Sequence, residues 1–150
     1  MLIKRNGQQE GLINLVKMEE QQELPKELTD QFKEKNKIYL SWSEFDEIID
    51  SLVEQIKESG ESFKGIYGIP KGGLIPAICL SHKLNLPLLP NLNEENTLII
   101  DDISDTGKAL EYFKHKYIAT LFSTEWTKTT PNFYVEIKEN ENDWVVFPWE

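Results

Sequence analysis

Apolar positions along this chain change period near Gly60. Before it, Phe45, Ile48, Ile49, Leu52, Val53 and Ile56 recur at the spacing of one helical face. Ser41 and Glu44 stand in the capping-box relation that opens a helix, and Gly60 supplies the residue type that closes one. After Gly60 the apolar runs are short and continuous, as in strands buried on both faces. Residues 65–69, 87–90, 97–102 and 117–122 read as such strands. Residues 71–85 read as a loop feeding a helix and residues 108–116 as a second helix, with late strands over 132–137 and 143–147. The order β-α-β-β-α-β predicts an α/β fold with a parallel-rich sheet flanked by helices. Ligands in such sheets sit beyond the carboxyl ends of the strands, where both glycine-containing loops of this chain fall.

Residues 1–37 lack this pattern and are rich in Gln, Glu and Lys. Leu12, Ile13, Leu15 and Val16 can line a short helix that Pro25 ends, so this segment is expected to be a helical appendage or arm. Residues 38–150 form the body.

The chain of 150 residues suits one hydrophobic core. No run reaches the roughly 20 apolar residues of a membrane span, and the N-terminus has no uninterrupted apolar stretch of a secretory leader. A lone cysteine, Cys79, has no internal partner, and the cytoplasm is the expected compartment. A net charge of −10 repels nucleic acid and anionic membrane. It also repels phosphorylated ligands, so a phosphate site here must be local: backbone N–H groups, one or two lysines and a divalent cation.

The segment from Asp101 to Ala109 has that character. An apolar strand ends in two adjacent acids, Asp101 and Asp102. A third acid follows at Asp105, then Thr106, Gly107 and Lys108 open the next element. Adjacent carboxylates repel unless a cation or hydrogen donors lie between them, and a vicinal diol with a magnesium ion supplies both. A helix start offers N–H groups to a phosphate. Asp105, between the two subsites, is placed for acid–base work. The segment resembles the signature for 5-phosphoribosyl-1-pyrophosphate (PRPP) in type I phosphoribosyltransferases. Lys71-Gly72-Gly73 after the first body strand resembles the pyrophosphate loop of that family, in which the peptide before the basic residue can be cis; here that peptide is Pro70–Lys71. The ending Trp144-Val145-Val146-Phe147-Pro148-Trp149-Glu150 resembles the tail of bacterial and archaeal xanthine-guanine (purine) enzymes of the same family.

The resemblance, which covers residues 38–150, implies a small C-terminal base-binding hood. It implies a purine-salvage transferase, dependent on Mg2+, that moves the phosphoribosyl group from PRPP to a nucleobase, with a 6-oxopurine favoured. By it, Asp101 and Asp102 hold the ribose and metal, with Glu150 as a further metal-side acid. Asp105 is catalytic, and Asp105, Thr106, Gly107, Lys108 and Ala109 form the 5′-phosphate loop. Lys71, Gly72 and Gly73 hold pyrophosphate, while Trp144 and Val145 hold the base. A homo-oligomer, dimer or tetramer, is also implied. Three departures stand out. Thr124 occupies the place of a lysine that reads the purine oxo group, with Lys128 four residues on. Only seven residues separate Leu89 from Thr97, so the flexible hairpin that closes over the reacting centre is reduced. Ala109 replaces a hydroxyl donor to the phosphate. The alternative reading is a PRPP- or nucleotide-binding module with weak or no turnover. Residues 138–143 read as a solvated turn.

Overall fold

The computed structural model describes residues 35–150. The appendage expected over residues 1–37 lies, up to residue 34, outside the described residues. Strand β1 (Asn36–Tyr39) starts two residues before the body was expected to begin. Helix α1 (Trp42–Glu58) follows. Its Ser41 hydroxyl accepts from the Glu44 N–H at 3.1 Å, and the Glu44 carboxylate accepts from the Ser41 N–H at 2.9 Å. The capping box therefore forms, and Phe45, Ile48, Ile49, Leu52 and Ile56 make the buried face.

Strand β2 (Gly65–Gly68), helix α2 (Leu74–Leu84), strand β3 (Thr97–Ser104), strand β4 (Tyr117–Ser123) and strand β5 (Glu136–Ile137) complete the main layer. The sheet order is β2-β3-β4-β5 and every pairing is parallel. A fully parallel sheet needs both faces covered, and the strand residues alternate accordingly. Ile66, Leu98, Ile100, Ala119 and Leu121 pack with α1 and α2. Ile99 and Ile118 point the other way, onto Leu110, Tyr67 and Phe113.

The second face differs from expectation. Residues 108–116 do not form an α-helix; the segment makes turns around one 3-10 turn, Glu111–Phe113. Only Leu110 is fully buried there, and Tyr112 is 77% exposed. So short a helix needs a buried apolar face to persist, and this segment supplies one anchor. Two predicted strands also shrink. Residues 87–90 reduce to a single bridge between Leu88 and Ile66, with Pro87 and Pro90 unable to donate to a ladder. Over residues 132–137 only Glu136–Ile137 is strand. Upstream of it the β4 edge is completed irregularly: the Asn132 side chain accepts from the Ile118 N–H at 2.8 Å, and Phe133 bridges Ala119.

The last strand, β6 (Asp143–Val146), leaves the main sheet and pairs in parallel with β1. Its Val145 and the following Phe147 are buried in the main core. Trp149 stacks on Phe147 with ring centroids 5.1 Å apart and meets Phe45 edge-on at 5.4 Å. These contacts tie the chain end to α1 and hold β6 beside the carboxyl end of β3.

Candidate active site

Strand β3 runs to Ser104, two residues beyond the predicted end, because Ile103 and Ser104 pair with Phe122 and Ser123. Asp101 and Asp102 are therefore rigidly placed strand residues. Each carboxylate accepts the N–H of the next residue: Asp102 N–H to Asp101 Oδ1 at 2.9 Å, and Ile103 N–H to Asp102 Oδ1 at 2.7 Å. Burial, then the neighbouring Asp102 charge, raises the Asp101 carboxyl to about 7. Asp102 is also raised, chiefly by burial, with the Glu150 charge contributing. Two acids held this way disfavour double ionisation unless a cation or donor hydroxyls arrive.

The Lys71-Gly72-Gly73 loop lies against the same strand end. Gly73 N–H donates to Ile69 O at 2.8 Å, Ile69 N–H donates to Ile100 O at 2.8 Å, and the Pro70–Lys71 peptide is cis. Lys71 is exposed to solvent. A Cβ placed on Gly72 would fall onto the Asp102 carboxylate, so the missing side chain lets the loop approach the acidic pair. Gly72→Ala is expected to displace that carboxylate. It should weaken PRPP binding about 10-fold or more, a loss of about 1.4 kcal/mol, read by calorimetric titration.

The loop from Asp105 to Ala109, with Ile103, Ser104 and Leu110, lines a cavity of about 130 Å³. The expected helix dipole is absent, since no α-helix follows; the available N–H groups are those of a turn. Gly107 has φ +77° there, and a Cβ on it would meet the backbone nitrogens of Lys128 and Thr129. Gly107→Ala should therefore cost about 1–3 kcal/mol of stability through backbone strain. It should also weaken ribose-5-phosphate binding, as thermal unfolding and calorimetry would show.

The segment from Thr124 to Thr129 braces this loop, a role that nothing in the sequence marked. The Thr124 hydroxyl donates to Asp105 O at 2.5 Å, Lys128 N–H to Thr106 O at 2.9 Å, and the Thr129 hydroxyl to Gly107 O at 2.8 Å. The Ser104 hydroxyl donates to Thr129 O at 2.7 Å. Thr124 is buried and engaged with the loop backbone, and Lys128 is exposed. Asp105 is gripped at both oxygens: the Trp126 indole N–H donates to Oδ1 at 3.0 Å and the Lys138 ammonium to Oδ2 at 2.6 Å.

Asp105 also lines a second cavity of about 230 Å³, shared with Asp102, Lys138, Asp143, Trp144, Val145 and Glu150. Asp102, Asp105 and Glu150 thus meet the base-side residues Trp144 and Val145 in one crevice, which Asp101 does not line. Trp144 is 48% exposed at its wall, whereas Trp149 is packed into the aromatic cluster. Glu150 accepts from the Phe147 N–H at 3.1 Å with its carboxylate at the cavity edge. Residues 138–143 are no simple solvated turn, since Lys138 and Asp143 at its two ends are buried. The sequence predicted a strand over residues 132–137 just before Lys138, but nothing in it marked the lysine itself as buried. Between Leu89 and Thr97 there are only bends and no strand.

No protein-family model matches the chain. It is 25% identical over 150 residues to a xanthine-guanine phosphoribosyltransferase of Desulfotalea psychrophila, covering 82% of this chain and 91% of that protein. Its fold matches the xanthine-guanine-hypoxanthine phosphoribosyltransferase of Helicobacter pylori with a TM-score of 0.66, covering 77% and 94% of the two chains at 19% identity. A purine phosphoribosyltransferase from Pyrococcus horikoshii superimposes with a TM-score of 0.65 over 76% of this chain and 94% of that one, at 34% identity. The solved purine phosphoribosyltransferase, 34% identical over 76% of this chain, shows the family that the other two relatives also carry in their names: the chain belongs to the type I phosphoribosyltransferase family.

Proposed function

We propose that this protein transfers the phosphoribosyl group of PRPP to a 6-oxopurine, releasing pyrophosphate and a nucleoside monophosphate. The observation that carries this reading is the crevice in which the end of β3 and the start of β6 converge. Asp102 and Asp105 share one cavity with Trp144, and Asp105 shares a second with the turn at Gly107. A ribose at the acidic pair would then have its phosphate in one cavity and an incoming base in the other. The ring nitrogen of the base bonds to ribose C1 as the C1–O bond to pyrophosphate breaks. Pyrophosphate leaves with the bonding pair, and the proton on the base passes to Asp105. Charge at C1 develops as in glycosyl transfer generally. Trp144 offers a stacking face worth about 1–3 kcal/mol per base, and Lys71 lies beside the leaving group.

Magnesium fits the donor set. Among the described residues no three Asp, Glu, His or Cys side chains converge to hold an ion by themselves. A pair of carboxylates completed by substrate oxygens is the usual arrangement for this ion. Asp101 and Asp102 would hold it, directly or through water, with Glu150 nearby. When bound, it neutralises charge on the departing pyrophosphate.

The short connection from Leu89 to Thr97, with no strand among the described residues there, favours a second reading: a nucleotide-binding module with weak turnover. One experiment separates the two. Purified protein with magnesium and PRPP is offered hypoxanthine, guanine, xanthine, adenine, uracil and orotate in turn, and nucleotide and pyrophosphate are followed together. Stoichiometric formation of both from a 6-oxopurine is expected. Saturable PRPP binding without product would establish the module instead.

A further inference from the structure

The lysine expected after β4 to read the base is missing, and its place in the chain is taken by Thr124, whose hydroxyl is spent on the Asp105 carbonyl. We infer that Lys138, from the far end of β5, is the group that reads the purine oxo oxygen, and that it does so as a pair with Asp105. This rests on the purine-transfer reading above.

Lys138 reaches the cavity by an unusual route. Its N–H donates to Ser123 O at 2.9 Å, continuing the β5 pairing by one residue and turning the side chain under the end of β4. The residue is only 5% exposed. Its ammonium lies 5.6 Å from the Trp126 ring centroid and 2.6 Å from Asp105 Oδ2, at the wall of the cavity that Trp144 lines. A buried lysine needs a compensating partner, and Asp105 is that partner in the ligand-free site.

Side by side, the pair presents a charged donor and a charged acceptor to the base. A 6-oxopurine with a protonated imidazole nitrogen carries the complement on one edge: a carbonyl oxygen next to an N–H. The carbonyl takes the Lys138 ammonium, and the N–H goes to Asp105, which then receives its proton in the reaction. Adenine sets an amino group where the carbonyl would be, so donor faces donor and the ammonium is left without its acceptor. Sites that hydrogen-bond a particular group reject analogues lacking it far more strongly than apolar pockets do.

The test compares wild type with Lys138→Met, Lys138→Gln and Lys138→Arg. Thermal unfolding is recorded for each, and Lys138→Gln carries the test if Lys138→Met does not fold. The kcat/KM for hypoxanthine, guanine and adenine is measured at saturating PRPP, and the Kd for PRPP separately. Lys138→Met should raise KM for 6-oxopurines about 30-fold or more and reduce the oxopurine-over-adenine preference about 10-fold or more, with the Kd for PRPP nearly unchanged. Lys138→Arg should keep the preference. An unchanged preference in a folded variant, or an equal loss of PRPP affinity, overturns the assignment, because a lysine that merely props Asp105 would not discriminate between bases. If wild type turns over no base, the transfer reading fails on its own. The inference is then read from binding: inosine monophosphate held more tightly than adenosine monophosphate by wild type and equally by Lys138→Met supports it, and equal binding to wild type sinks it.

Discussion

Asp105→Asn should lower kcat for nucleotide formation about 100-fold or more, the range expected when a positioned acid–base group is removed. The substitution preserves shape. An Asn carbonyl at the Oδ1 position still accepts the Trp126 indole N–H, now at 3.0 Å. Two things are lost: the acceptor for the base proton, and the anion opposite Lys138. The second loss leaves a buried ammonium unpaired, which destabilises the fold as well, so a thermal unfolding curve must accompany the kinetics. In the proposed arrangement PRPP contacts the acidic pair and the loop backbone instead of the Asp105 carboxylate, so its Kd should move only a few-fold. A large fall in PRPP affinity with kcat preserved would show that Asp105 binds ribose phosphate and handles no proton.

Asp101→Asn should produce opposite effects on stability and on function. In the folded protein Asp101 titrates near 7, raised first by burial and then by Asp102, against 3.8 for the ordinary carboxyl. A raised acid means the folded state holds its proton more tightly than the unfolded chain does. The contribution is fully present below about pH 4, is lost progressively as pH rises towards 7, and stays lost above that. Asp101→Asn removes this penalty. The variant should match wild type near pH 4, gain on it as pH rises, and be more stable at pH 8 by an amount on the order of 2 kcal/mol, discounted for partial exposure. The same variant should lose PRPP affinity about 10-fold or more, a loss of about 1.4 kcal/mol, because one of the two carboxylates proposed to hold the ribose and metal is gone. Thermal unfolding across pH 4–8 without ligand, set beside PRPP titration at pH 8, measures both arms. A variant less stable than wild type at pH 8 would mean that the acidic pair is structural.

Much of the site was legible because it is contiguous in the chain. Asp101, Asp102 and the residues from Asp105 to Ala109 lie within nine positions, so strand, acids and turn appear as one word. Lys71-Gly72-Gly73 is equally local. Helix α1 was legible for the same reason: cap, face and terminator all lie between Ser41 and Gly60, and all three formed. The helix over residues 108–116 failed because local propensity without a face to bury does not sustain so short an element. The strand over residues 132–137 shortened because the β4 edge is satisfied there by the Asn132 side chain and a lone bridge at Phe133.

The sequence by itself determined the parallel α/β class and the make-up of the two glycine-containing loops, since alternation of elements and the order of acids, glycines and lysine are properties of neighbouring residues. Only the tertiary structure decided which distant side chains complete the site. Lys138 lies 33 residues from Asp105 and Trp126 lies 21 away; β5 and the loop before it bring them to one carboxylate. Nothing local distinguishes that lysine from the others in the chain, because what surrounds it is the end of β4, Asp105 and Trp126, segments that are far apart from it in the sequence.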